Sequence, residues 1–268
     1  MEMLTVGSLF SGIGGLDLGL EQAGMKTVWQ VEFDDWARGK LDENFPHTEK
    51  FKDVREVGKH NLRSVDLICG GFPCQDISVS NYRGLGLEGE RSGLWSEFFR
   101  LICDLRPRYT LIENVPNLLV RGGTRVLSDL ASIGYDAEWQ TIRAATFGLP
   151  TRRKRLFIIA YPRSKRTEAF QVYSSSMPQS YQSRWADSIQ LCFETVGYKT
   201  VRIPDHLRMD TGISFELSEI EAAVKGYGNA VAPPVAKWIG ERIIEFDEAT
   251  TTARGMNERE TVFEKSGA

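Results

Sequence analysis

The sequence predicts an α/β fold built on a doubly wound, mostly parallel sheet. Three observations carry this. Short apolar runs alternate with helical patterns through the first 160 residues, several of those runs are apolar on both faces, and glycine-rich or polar motifs follow them directly. Strands buried on both faces read as continuous β-branched and aromatic stretches, whereas half-buried ones alternate. A β-α-β-α order then implies a parallel sheet with helices on both sides and ligands beyond the carboxyl ends of the strands.

In chain order, residues 5–10, 28–32, 65–69, 109–113 and 156–160 read as strands. Residues 16–23 form a helix stopped by Gly24, residues 94–105 a second helix, and residues 125–133 a third that ends at Gly134. Glycine just past a helical pattern is a C-terminal signal because it adopts a left-handed backbone without steric cost. The pattern breaks between Pro162 and about Pro204, in a polar stretch with scattered aromatics and little core of its own. Helical spacing returns after Pro233-Pro234, at Val235, Trp238, Ile239 and Ile243. Beyond Ala249 the polar composition predicts a frayed tail. The expected organisation is a catalytic body over 1–162, a small lobe over 163–224, a returning segment over 225–248 and a flexible tail over 249–268.

Composition narrows the class. Of 268 residues 41% are hydrophobic and 26% charged, the balance of a folded chain with one large core. No apolar run approaches the roughly 20 residues of a membrane span, and the first residues lack the pattern of a signal peptide, so a secreted or membrane protein is not expected. The formal charge of −3 comes from residues 241–268, with 7 acidic and 4 basic side chains, leaving the body neutral. Within it, residues 143–166 carry 8 Lys/Arg and no acid, a candidate phosphate-contacting surface whose plainer reading is a solvated face. Four cysteines without a C-x-x-C pair and only three histidines argue against a zinc site. Cys69, Cys103 and Cys192 sit in apolar runs and are expected to be packing residues.

The motifs sit where such a sheet puts its ligands. Ser8-Leu-Phe-Ser-Gly-Ile-Gly-Gly-Leu-Asp-Leu-Gly19 follows the first strand and opens the first helix. The dinucleotide fingerprint G-x-G-x-x-G begun at Gly12 requires glycine at position 17, which is Asp17, so a nicotinamide enzyme is disfavoured. Glu32, at the end of the second strand, stands where an acid grips both hydroxyls of a ribose. Asp53 follows the expected third strand and is placed to accept from an adenine amino group. Loop, Glu32 and Asp53 together point to a nucleoside cofactor; the loop alone is also compatible with a plain turn.

A second set of motifs carries the chemistry. Gly70-Gly-Phe-Pro-Cys-Gln-Asp-Ile-Ser78 follows a strand and places Cys74 at the cleft, where an exposed thiolate of lowered pKa is a nucleophile. Leu111-Ile-Glu-Asn-Val-Pro116 places Glu113 at the same edge, where a semi-apolar setting lets a carboxyl group hold a proton near neutral pH and donate it to a ring nitrogen. Asn114 and Pro116 are expected to fix its orientation.

With these residues in view, the sequence closely resembles the cytosine-C5 DNA methyltransferase family. The motif order matches: the Phe10-Ser-Gly-Ile-Gly-Gly15 loop, Glu32, Asp53, Gly71-Phe-Pro-Cys-Gln75, Glu113-Asn-Val115, Thr151-Arg-Arg-Lys-Arg155 and Gly228-Asn-Ala-Val231, over about residues 4–160 and 225–245. The resemblance implies a Rossmann-like domain that uses S-adenosylmethionine. Phe10, Ser11, Gly12 and Gly14 would line its methionine end, Glu32 its ribose, Phe33 and Asp53 its adenine, with Pro73, Leu94 and Asn229 completing the pocket. Cys74 would attack C6 of a flipped-out cytosine while Glu113 donates to N3, activating C5 for methylation. Arg153 and Arg155 would orient the catalytic loop and the cytosine O2, Arg152 and Lys154 would hold the backbone, and the glycine-rich stretch 77–93 would form a lid.

The departures are Thr151, where the family usually has Gln, the lack of a recognisable Arg-x-Leu-Thr motif before Gly226, and a short segment where the family places its recognition domain. A reduced lobe predicts a short target site. The expected partner is double-stranded DNA, with no metal and no membrane, the chain acting as a monomer in a bacterial or phage-infected cytoplasm. An RNA cytosine methyltransferase and a catalytically silent relative are the alternative readings.

Overall fold

The computed structural model describes residues 3–73, 93–149, 153–165, 226 and 230–266, with side chains to residue 252. Seven strands form one sheet: β1 (Thr5–Leu9), β2 (Lys26–Val31), β3 (Glu49–Phe51), β4 (Leu67–Gly70), β5 (Tyr109–Asn114), β6 (Tyr135–Arg143) and β7 (Lys154–Pro162). Their order is β3-β2-β1-β4-β5-β7-β6, parallel from β3 to β5, with β7 antiparallel to both β5 and β6. The helices are α1 (Gly15–Gln22), α2 (Asp35–Asn44), α3 (Leu94–Leu105), α4 (Leu118–Arg121), α5 (Gly123–Ser132) and α6 (Pro233–Ser266). The doubly wound, mostly parallel sheet is as expected, and the five anticipated strands are present with ends shifted by up to two residues.

Two strands were not among the five runs read from the sequence, although the place of β3 was expected before Asp53, and both lie at sheet edges. β3 is short and polar; β6 is buried only at Tyr135 and Ile142, with Trp139, Thr141 and Arg143 exposed. An edge strand half open to solvent does not produce the continuous apolar run that marks a central one. Along α3 the apolar residues Trp95, Phe98, Leu101 and Ile102 share one stripe and are all buried. Cys103 falls off that stripe and is only half-buried, a correction to its expected packing role, whereas Cys69 is fully buried. Cys192 lies outside the described residues.

Each face of the sheet has its own core. On one, α3 and α5 cover Ile68, Ile112, Leu156 and Ile158. On the other, α1 and α6 cover Val6, Leu67, Leu111, Phe157 and Ile159 with Leu16, Leu20, Trp238, Ile239 and Phe246. Fully burying one such side chain is worth roughly 1.5–3 kcal/mol. The two helices on this face meet backbone to backbone: a Cβ on Gly19 would stand 2.4 Å from the Pro233 carbonyl oxygen and 2.8 Å from the Lys237 nitrogen. The helix expected after Pro233-Pro234 is present, and its backbone continues to Ser266, through the segment where a frayed tail was expected from 249.

At the edge remote from the site, Asp247 of α6 accepts from Tyr109 Oη (2.7 Å) and Lys165 Nζ (2.8 Å) and pairs with Arg108, which also reaches Asp66 at 3.3 Å. Asp66 in turn accepts from Thr5. This chain of charge-assisted bonds clasps α6 to the starts of β1 and β5. The region expected to form a small lobe, 163–224, lies outside the described residues apart from Arg163–Lys165.

Strand order reverses between β1 and β4, where β1 leads toward β2 on one side and β4 toward β5 on the other. Side chains and loops leaving the carboxyl ends of these strands therefore diverge and leave a crevice.

Candidate active site

The crevice at that switch point is a cavity of about 1220 Å³. Its floor is the turn after β1. Phe10 (φ 53°), Gly12 (φ 57°) and Gly14 (φ 87°) all adopt left-handed backbone, which is costly at Phe10 and natural at the glycines. The turn is pinned by Ser11 N donating to Val31 O at 3.1 Å and Gly14 N to Ser11 O at 2.9 Å. A Cβ at Gly12 would meet nothing within 4 Å, so the wall there is bare backbone beside open space. Gly14 departs from its expected place: it is the residue before α1, turned against Phe45 and Leu41, and Gly12 and Gly15 form the wall instead. Gly15 also packs against the Val231 carbonyl, which brings Ala230 and Val231 into the same wall.

One end of the cavity is acidic and aromatic. Glu32 Oε2 accepts from Gly12 N at 2.7 Å and Oε1 from Asp34 N at 2.8 Å. A carboxylate has about four acceptor positions, so two remain for a ligand. Phe33 is 63% exposed, with Lys52 Nζ 5.7 Å from its ring centre. Asp53 accepts from Arg55 N at 3.0 Å and pairs with the Arg55 guanidinium at 2.6 Å, which holds its carboxyl below the usual range. Acid, exposed ring and second acid fit the ribose and adenine of a nucleoside, and the bare backbone at Gly12 leaves room for what that nucleoside carries. Phe10, Ser11, Pro73 and Leu94 line the middle.

The other end holds Glu113, buried at the end of β5. Arg155, at the start of the antiparallel β7, places its Nε 2.9 Å from Glu113 Oε1. Burial pushes the Glu113 carboxyl up to about 6, with Arg155 and Arg153 opposing the shift. Burial and the neighbouring Arg155 lower the pKa of Arg153, whose Nη1 donates to Ala230 O at 3.0 Å. Glycine at 71 lets the carboxyl stand against the preceding loop, since a Cβ there would sit 2.5 Å from Glu113 Oε2. Asn114 Nδ2 donates to Phe72 O at 3.3 Å, and its Oδ1 accepts from Val115 N at 2.8 Å. Asn114 thus ties the end of β5 to the loop that leads into residue 74, while Glu113 itself is oriented by Arg155.

Glu32, Phe33, Asp53, Phe10, Ser11, Gly12, Pro73, Leu94, Glu113, Arg153 and Arg155 therefore line one cavity. Cys74, Asn229, Arg152, Thr151 and all of the expected lid but Gly93 lie outside the described residues. Arg153 and Arg155 were expected to orient the catalytic loop and the cytosine O2; here Arg153 reaches Ala230 O and Arg155 reaches Glu113. Two features escaped the sequence reading. Gly71 had no signal beyond its motif, and Asp17, noted only as a break in a fingerprint, is a fully buried acid beneath the glycine loop.

A cavity at the switch point of a doubly wound sheet, lined at one end by two acids and an exposed ring and at the other by a buried acid of raised pKa under two arginines, is the arrangement to set beside known proteins. The family model for C-5 cytosine-specific DNA methylases matches residues 4–211. Type II methyltransferase M2.BsuMI of Bacillus subtilis (strain 168) is 41% identical over 165 residues, 59% of this chain and 42% of that protein. Type II methyltransferase M.Bsp6I of Bacillus sp. (strain RFL6) is 36% identical over 196 residues, 70% of this chain and 61% of that protein. Among solved structures, a candidate DNA modification methyltransferase encoded within an E. coli prophage superposes with a TM-score of 0.61 at 21% identity, covering 91% of this chain and 99% of that one. The chain belongs to the C-5 cytosine-specific DNA methylase family. It spans about half the length of the curated relatives it matches.

Proposed function

We propose that the chain methylates C5 of cytosine in double-stranded DNA, using S-adenosylmethionine, through a covalent adduct at Cys74. The observation that carries this reading is the buried Glu113 of raised pKa, held by Arg155 in the same cavity as Glu32, Phe33 and Asp53 and beside the loop that leads into Cys74.

C5 of cytosine is a weak nucleophile, and the ring must be activated before it accepts an alkyl group. In this reading the Cys74 thiolate adds to C6 while Glu113 gives its proton to N3, so the ring becomes an enamine with electron density at C5. The cofactor, when bound, supplies an electrophilic methyl group on a sulfonium. Loss of the C5 proton to a base then re-forms the C5–C6 double bond and expels the Cys74 sulfur. Arg155 keeps Glu113 aimed at the ring, Asn114 fixes the loop before Cys74, and Pro73 restricts the backbone at its base. Glu32, Phe33 and Asp53 hold ribose and adenine. The target base leaves the duplex to reach this depth, at a cost of a few kcal/mol.

Arg152, Lys154 and their basic neighbours contact phosphates, which positions without selecting sequence. Residues 1–162 and 225–248 form the catalytic body, and 163–224 the region that selects the target. The chain works as a monomer in a bacterial or phage-infected cytoplasm, in the modification role that the names of its relatives carry. Among the described residues no helix is long and apolar enough to cross a membrane, and no group of three or more side chains could hold a metal.

The test is Cys74→Ser with tritiated cofactor on duplex DNA and on transfer RNA. Methyl transfer should be abolished with cofactor affinity unchanged, and wild type should label the duplex. Full activity in the variant, or labelling of RNA alone, overturns the reading.

A further inference from the structure

Beneath the glycine loop lies a buried polar cluster that the chemistry above does not use. Asp17, in the first turn of α1, is fully buried, as are Ser8 of β1 and Gln30 of β2, which stand opposite each other in the sheet. Asp17 Oδ2 accepts from Ser8 Oγ at 3.1 Å and Oδ1 from Gln30 Nε2 at 2.8 Å. Ser8 Oγ in turn accepts from Ser11 Oγ at 2.9 Å, the shortest of three inward contacts of that hydroxyl, the others being Ser8 O at 3.2 Å and Val31 O at 3.4 Å; Ser8 also meets Cys69, and Ser11 lines the cavity. A line of hydrogen bonds thus runs from the cavity wall to a buried carboxyl group. Glu21 of α1 and Cys69 of β4 are the other titratable groups that act on it. Burial pushes Asp17 up to about 6, and its carboxylate form, which builds up above that value, is the one that organises the cluster.

The direction of the protons follows from valence. A carboxylate accepts and never donates, so the Ser8 hydroxyl must point at Asp17. The Ser8 oxygen is then free to accept from Ser11. With its single proton spent inward, Ser11 turns only lone pairs toward the cavity. A neutral amide at position 17 lifts this constraint, because its NH₂ can donate to Ser8, whose proton then turns toward Ser11 and leaves the Ser11 proton only the longer contacts to Ser8 O and Val31 O, or the cavity. The negative charge adds to the effect, since it is separated from the wall by only two hydroxyl groups in a water-poor setting.

We propose that Asp17, acting through Ser8, is a positioning residue that fixes Ser11 as an acceptor toward the cavity and so favours the α-ammonium end of the cofactor. This rests on the reading that S-adenosylmethionine occupies the cavity with its ribose at Glu32. Gly12 joins the two sites, because its N–H is bonded to Glu32 while its neighbour Ser11 heads the relay.

Calorimetry on the full chain tests it with two neutral-sulfur ligands, S-adenosylhomocysteine, which has the amino-acid end, and 5′-methylthioadenosine, which lacks it. Asp17→Asn should weaken the first on the order of tenfold, as expected for a lost charge-assisted contact, and the second by less than about twofold. Ser11→Ala should do the same, and the double variant should be no weaker than either single one. Ser8→Ala, which cuts the relay at its middle, provides the same readout if Asp17→Asn does not fold. A merely structural Asp17 changes the melting temperature and leaves this selectivity intact. Equal loss of both ligands, no loss, or additive losses in the double variant overturn the inference while the cofactor reading stands. Failure of the wild type to bind either ligand overturns both.

Discussion

Glu113 faces opposing demands at the scale of one side chain. Its burial favours the protonated form that a ring nitrogen needs, and Arg155 and Arg153 favour the carboxylate. The net is a group near 6, able to hold or release a proton close to working pH. Glu113→Gln keeps the shape and the contact surface but has no proton to give. Single-turnover methyl transfer should fall by roughly 10²- to 10⁴-fold, the range general acid catalysis usually supplies, with cofactor affinity unchanged. A loss smaller than about tenfold would remove Glu113 from the proton-donor role. The raised pKa of this acid was foreseen from its place at the end of an apolar strand. Its contact with Arg155 was not, because residues 113 and 155 meet only through the reversed direction of β7, which the one-dimensional pattern does not contain.

Among the elements, the contact between α1 and α6 decides how closely the second core closes. Alanine in place of a helical glycine usually stabilises by roughly 0.5–1 kcal/mol. At Gly19 the added carbon would collide with the backbone of α6, which cannot swing aside as a side chain can. Overpacking costs about 1–3 kcal/mol and should win, so Gly19→Ala is expected to lower the melting temperature. Gly39, exposed in α2 with nothing within 4 Å of an added Cβ, is the matched control, and Gly39→Ala should raise it. Two shifts of the same sign would mean that the helices are not in backbone contact. The central strands and α3 were legible because both are buried by their neighbours and carry the period of their own geometry. β3 and β6 were not, since an edge strand answers partly to water. Helix α6 was legible at its start, where apolar spacing holds, and misread after residue 249, where polar composition suggested fraying.

For the molecule as a whole, two buried acids shape the response to pH. Asp17 and Glu113 are both raised to about 6 from 3.8 and 4.5. Between those values the folded chain binds protons that the unfolded chain has already released, so stability falls as pH rises through the window. Each group should contribute about 1–3 kcal/mol at one pH unit per 1.36 kcal/mol. The acids held low by partners, Asp53, Asp66 and Asp247, work in the opposite sense and only below about pH 4. Thermal unfolding should therefore require more heat at pH 5 than at pH 7, and Asp17→Asn or Glu113→Gln should each flatten part of that slope. A melting temperature that climbs steadily from pH 5 to pH 7 would contradict this. The function class was legible because reactive residues follow strands in a fixed order. Asp17 was not, since an acid inside an otherwise apolar helix pattern looks the same whether it faces solvent or a buried serine.

The seam between α1 and α6 also governs how the polypeptide is born. Leu16 and Leu20 leave the ribosome well before Trp238, Ile239 and Phe246, which cover the same face from more than two hundred positions further along. Until α6 has been made, that face of the sheet stays bare and greasy, a surface for chaperones to guard, and any message cut short before residue 233 yields a product with one side unsealed.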